Sequence, residues 1–148
     1  MPEEFVLDCS VAAKWVLPEP DRAPALELFE RYAAGEVLLI APDLLLAEFA
    51  SLVAKRNRRK EISAEQTHTA FRLMAKCAPR LFDMRPQLPR ALDLSLQYQL
   101  SLWDCVYLAL ALERDCPVLT ADRRLFRAGK VGHPSVRLVQ SRPRGRSD

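Results

Sequence analysis

The feature that most limits the fold of this chain is the alternation of short, wholly apolar runs with longer stretches of helical periodicity. Phe5-Val6-Leu7, Val37-Leu38-Leu39-Ile40, Leu81 to Met84, Pro117 to Thr120 and Val136 to Val139 read as strands. They lack period-two alternation, which suits strands covered on both faces. A helix is expected after Asp8, capped by Ser10, and a second from about Asp21, with a stripe of Leu26, Phe29, Tyr32 and Ala33 and a stop at Gly35. A third runs from about Asp43 to Arg59. Ser63-Ala-Glu-Gln66 is a capping box for the next, in which Thr67, Ala70, Phe71, Met74 and Cys77 share a face. Further helices are expected over Leu88 to Gln99, from the capping-box-like Ser101-Leu-Trp-Asp104 to Glu113, and over Asp122 to Ala128. Strands separated by helices pair parallel, because each crossover needs the helix. The expected fold class is therefore α/β, a three-layer α/β/α sandwich around a parallel sheet of about five strands.

A length of 148 residues suits one domain, here expected to span residues 1–139, with a basic, flexible tail over 140–148. In that tail Arg142, Arg144 and Arg146 face Asp148 and carry most of the net charge of +3, so the folded body is close to neutral. Overall charge does not point to nucleic acid. With 49% hydrophobic and 28% charged residues, disordered and fibrous classes are excluded. Cys9, Cys77, Cys105 and Cys116 form no C-x-x-C pair and lie in apolar stretches, so they read as small buried hydrophobes rather than a disulfide or zinc framework. Met-Pro-Glu-Glu lacks the start of a secretory signal, and no uncharged apolar run approaches the ~20 residues that span a bilayer. The expected location is cytoplasmic, with no membrane partner.

Four acids stand where an open parallel sheet builds its sites, beyond the carboxyl ends of strands. Asp8 ends the first strand and Asp122 follows the strand closing on Thr120; Glu48 and Asp104 sit near helix starts. Each alone has a plain structural explanation: Asp122 as a helix cap, Asp104 as the end of a capping box, Asp8 in a turn, Glu48 on a solvated helix face. Together they would repel, at ~4 kcal/mol per pair for ~4 Å and an effective dielectric of ~20. Gathering them needs a cation or raised pKa values. All-oxygen ligation favours Mg²⁺ or Mn²⁺ over Zn²⁺, and such sites most often serve displacement at phosphorus, with the ion activating water.

Leu7-Asp8-Cys9-Ser10, Glu48 in an apolar helix, Leu102-Trp-Asp104-Cys-Val-Tyr-Leu-Ala-Leu-Ala and Thr120-Ala-Asp122-Arg-Arg-Leu125-Phe resemble, in order and separation, the acidic quartet of PIN-domain nucleases. The resemblance covers residues 4 to about 139, and its detail looks like the VapC ribonucleases of type II toxin–antitoxin pairs. The one departure is Cys105, where alanine is common. The resemblance implies an endoribonuclease in which Asp8, Glu48, Asp104 and Asp122 hold one or two Mg²⁺ (or Mn²⁺) ions. The Ser10 and Thr120 hydroxyls would support the acids or the metal waters. It also implies a homodimer, autoregulation of the operon, and a VapB-type antitoxin that lays a peptide along an apolar groove beside the site.

Basic residues divide into two sets. Lys55, Arg56, Arg58 and Arg59 form a dense run that is either a solvated helix end or a contact for RNA phosphates. Arg123, Arg124 and Arg127 follow Asp122 directly and are better placed to hold RNA. Trp15 and Trp103 read as packing residues rather than base-stacking platforms, and His68 and His133 as bystanders. Two alternatives stay open: a housekeeping PIN nuclease in RNA processing, and a non-catalytic RNA- or antitoxin-binding module. A phospho-acceptor receiver domain is disfavoured, since one Asp ends the first strand and no Lys follows the last.

Overall fold

A computed structural model describes residues 1–129 and 135–140. In chain order these form β1 (Glu3–Leu7), α1 (Cys9–Val16), α2 (Ala23–Ala33), β2 (Val37–Pro42), α3 (Leu44–Arg58), α4 (Ala64–Cys77), β3 (Arg80–Phe82), a 3-10 turn (Arg85–Gln87), α5 (Leu88–Tyr98), α6 (Leu102–Arg114), β4 (Val118–Thr120), α7 (Arg123–Gly129) and β5 (Val136–Leu138). The five strands pair parallel throughout, in the order β3-β2-β1-β4-β5. Helices cover both faces, as the unbroken apolar runs require. Phe5, Leu7, Leu39, Ala41 and Leu119 pack with α1 to α4, while Val6, Ile40 and Val118 pack with α5, α6 and Leu125 of α7.

Strand order reverses between β1 and β4, opening a crevice at their carboxyl ends. Asp8 and Asp122 follow those two strands. The site is set there.

Local expectations fare unevenly. The Ser63–Gln66 capping box forms in both directions, and Gly35 takes the left-handed φ of +74° just past α2. Ser10 does not cap α1: Asp8 holds the cap position, and Ser10 lies inside the first turn with its hydroxyl turned to Asp8. No side-chain bond caps α6 at Ser101, so the expected second box is absent and Asp104 is left to other partners. The stripes of α2 and α4 are narrower than their periodicity suggests. Ala25, Leu28, Ala70 and Met74 are buried, whereas Leu26, Phe29 and Tyr32 are half-buried and Ala33 and Phe71 exposed.

Trp15 packs as expected, edge-on to Phe29 with its indole donating to the Ala25 carbonyl at 2.8 Å. Trp103 does not; it is 50% exposed. All four cysteines are free, three of them buried and Cys77 half-buried. Among the described residues no helix is long and apolar enough to cross a membrane.

Candidate active site

Asp8, Glu48, Asp104 and Asp122 line one cleft of about 380 Å³, together with Ser10, Lys14, Glu19 and Arg124. Residues spread over four elements meet because each leaves its strand or helix at the same rim of the sheet. Asp8, at the junction of β1 and α1, is buried. Its Oδ2 accepts from Ser10 Oγ at 2.6 Å and from Thr120 Oγ1 at 2.8 Å. In turn Ser10 Oγ accepts from the Ala121 N–H at 2.9 Å and Thr120 Oγ1 from the Asp122 N–H at 3.0 Å. Each hydroxyl thus directs its single proton at Asp8 while holding the backbone beyond β4. Ser10 and Thr120 lie 3.2 Å apart. The network clamps β1 to β4 at the crevice.

Asp122 accepts from the Arg124 N–H at 2.8 Å at the start of α7, so it is both a helix-start residue and a cleft acid. Asp104 lies in the first turn of α6. The Arg124 guanidinium stands 3.5 Å from Asp104 and 3.6 Å from Asp122. Glu48, in the second turn of α3, accepts from the buried Tyr107 hydroxyl at 2.6 Å.

Burial raises the Asp8 carboxyl, against the pull of the Ser10 and Thr120 hydroxyls, and the charge on Asp122 raises it further. Burial also pushes Glu48 up to about 7; the Tyr107 hydrogen bond opposes, and the charges on Asp8 and Asp104 add to the rise. Asp104 is pushed up to about 6, by burial first and by Asp8 and Asp122, with Arg124 opposing. These carboxylates feel one another, as like charges sharing a partly desolvated cleft must.

The donor set fits a hard divalent cation: four carboxylates, all oxygen, of which Asp8, Glu48 and Asp104 have ionised forms disfavoured by burial until a positive charge joins them. Arg124 already stands in as such a charge between two of them. The ring is open rather than closed. Among the described residues no three His, Cys, Asp or Glu side chains are grouped tightly enough to cage an ion. Mg²⁺ tolerates that, because it keeps several waters and takes one or two carboxylates directly.

The basic residues occupy different surroundings. Arg56 is paired with Glu19 at 2.6 Å, which ties it to the cleft wall rather than leaving it in the solvated run. Lys55, Arg58 and Arg59 are exposed toward the far end of α3, Arg58 about 15 Å along the axis from Glu48. Arg123 and Arg127 are exposed on α7, the helix that follows Asp122, but of its arginines only Arg124 lines the cleft. His68 is exposed on α4, and His133 and the arginine tail lie outside the described residues. Sequence reasoning missed Tyr107, although it stands three residues after Asp104 and so on the same face of α6. It also missed Lys14 and Glu19, paired at 3.7 Å at the cleft wall.

Fold and rim together define an α/β/α domain with an acid-lined cleft at its switch point. The PIN-domain family model matches residues 5–131. Ribonuclease VapC1 of Mycobacterium tuberculosis is 32% identical over 137 residues, covering 90% of this chain and 98% of that protein. This chain belongs to the PIN-domain family and, within it, to the VapC group. Among solved structures, VapBC2 from Rickettsia felis, bound to a DNA fragment from its promoter, matches with a TM-score of 0.66 at 14% identity, over 91% of this chain and 98% of that one. The M. tuberculosis toxin VapC20, which cleaves the sarcin–ricin loop, matches with a TM-score of 0.65 at 15% identity, over 84% and 95%. At such identities these two likenesses bear on the fold.

Proposed function

We propose that this protein is a divalent-metal-dependent endoribonuclease, the toxin of a VapBC-type pair, and that Asp8, Glu48, Asp104 and Asp122 hold Mg²⁺ or Mn²⁺. The observation that carries the reading is the convergence of these four acids, distant in sequence, on one cleft. A bound ion would supply the acidity that turns water into a nucleophile and the charge that stabilises phosphoryl oxygens. The chain supplies the frame. Ser10 and Thr120 hold Asp8 in one orientation, leaving its other oxygen for the ion or its waters. Arg124, 75% exposed, has the freedom to turn from Asp104 and Asp122 toward an RNA phosphate when a metal replaces it. Arg123 and Arg127 extend that cationic edge.

An antitoxin partner is supported by a second cavity of about 720 Å³, lined by Trp15, Leu26, Phe29, Tyr32, Leu73 and Cys77 among others. It shares α1 with the acid cleft, so a peptide lying in it would pass beside the acids. Leu92 and Leu96, one turn apart on α5 and exposed, would give a second copy an apolar strip to cover in a homodimer. A small antitoxin gene beside this one separates the toxin role from RNA processing. The activity itself is tested with purified protein and RNA: cleavage is expected with Mg²⁺ or Mn²⁺ and is abolished by EDTA and by Asp8→Asn. Metal-independent cleavage, or none under any ion, overturns the reading.

A further inference from the structure

We propose that Tyr107 is a positioning residue for this reaction: from α6 it holds the Glu48 carboxylate of α3 so that the second oxygen faces the ion. The inference deepens the metal-nuclease reading and rests on it. Tyr107 is 0% exposed, and a buried phenol hydroxyl takes a hydrogen-bond partner. That partner is Glu48 Oε1, 59 residues away in sequence and lining the acid cleft, at 2.6 Å. The bond also joins two layers. Phe49 and Val53 place α3 in the core on one face of the sheet, whereas Tyr107 and its neighbours on α6 fill the core on the other. Glu48 and Tyr107 therefore meet past the end of the sheet, where the cleft opens.

Every other acid of the ring has its own holder. Asp8 has two hydroxyls, Asp122 the Arg124 N–H, and Asp104 the Arg124 guanidinium. Glutamate has one more rotatable bond than aspartate and loses more freedom when ordered. Among the described residues its hydrogen bond comes from Tyr107. Because Tyr107 and Asp104 share a face of α6, one helix both contributes an acid and orients a second. Donors placed behind metal-binding groups in this way are worth about 10- to 100-fold in metal affinity.

The test titrates Mn²⁺ into the full chain, following the spin-resonance signal of free Mn²⁺, alongside RNA cleavage. Tyr107→Phe keeps the ring and removes the hydroxyl; it is expected to weaken Mn²⁺ binding about tenfold. Glu48→Gln weakens it at least as much. The double variant is expected to bind like Glu48→Gln alone, because a phenol acting through Glu48 then has nothing to orient. Unchanged affinity in Tyr107→Phe with a clear loss in Glu48→Gln overturns the inference and leaves the nuclease reading standing. Losses that add in the double variant also overturn it, by making Tyr107 a packing residue. If Tyr107→Phe melts below the assay temperature, Glu48→Asp serves instead. It keeps the charge but cannot reach both phenol and cleft, so about a tenfold loss is expected and an unchanged affinity overturns the proposal. A wild-type chain that neither binds Mn²⁺ nor cuts RNA overturns both readings.

Discussion

Replacing Asp104 with asparagine removes a negative charge from the cleft at almost constant volume. The side chain is 18% exposed, so its charge is poorly hydrated. Its carboxyl rises from 3.8 to about 6, by burial first and then by Asp8, a net change that already includes the attraction of Arg124. The native state thus binds this proton more tightly than the unfolded chain. The stabilisation is complete below the unfolded value of 3.8 and is lost as pH rises through about 6. Above that, ionised Asp104 costs the fold about 3 kcal/mol. Asparagine stays neutral, so the variant without metal is expected to match the wild type near pH 4 and to exceed it by up to about 3 kcal/mol at pH 7.5. For a domain of this size that raises Tm by up to about 10 °C. Thermal melts in EDTA across that pH range measure the difference, and cleavage with Mg²⁺, expected to be abolished, measures the function. A variant less stable than wild type at pH 7.5 that still cuts RNA at full rate refutes the reasoning and reduces Asp104 to a helix-start residue.

Metal binding is expected to weaken as pH falls from about 8 to about 6, because protons compete for carboxylates that the ion needs ionised. Glu48, pushed up to about 7, dominates that window, and a pH-independent Mn²⁺ affinity would contradict it. Arg124→Gln removes the cation between Asp104 and Asp122, so Mn²⁺ is expected to bind more tightly. RNA binding is expected to weaken, with a salt slope shallower by about 0.7. Parallel titrations read both signs, and a change of the same sign for both ligands contradicts the dual role. Leu73→Asp places a charge at a groove position 50% exposed in the free protein. It is expected to weaken the cognate antitoxin about tenfold or more, since docking would bury an unpaired charge. RNA cleavage remains as in wild type; native-gel binding and cleavage assays separate the two.

Much of the architecture was legible because it rests on short-range patterning. Strands covered on both faces are apolar throughout, so Phe5 to Leu7 and Val37 to Ile40 declare a helix-covered parallel sheet, although Leu38 is left 45% exposed. The box at Ser63 needed only residues within one helical turn. The box at Ser101 carried a similar local signal and failed, because Asp104 is drawn to the cleft where Arg124 offers a charge. Ser10 likewise had a helix-cap signature, yet its hydroxyl joins β1 to β4. Trp103 reads as a packing residue from local pattern alone, yet the structure leaves it 50% exposed. The fate of Arg56 depended on Glu19, 37 residues earlier in the chain.

The amino-acid order by itself determined the layering, the parallel sheet and the identity of four acids at strand ends and helix starts. These follow from burial periodicity and backbone geometry, which act over a few residues. Only the tertiary structure decided which donor faces which acid: the hydroxyls on Asp8, Arg124 between Asp104 and Asp122, and Tyr107 behind Glu48. Those contacts join residues up to 112 positions apart. Their chemistry depends on distances of a few ångströms, which only packing sets.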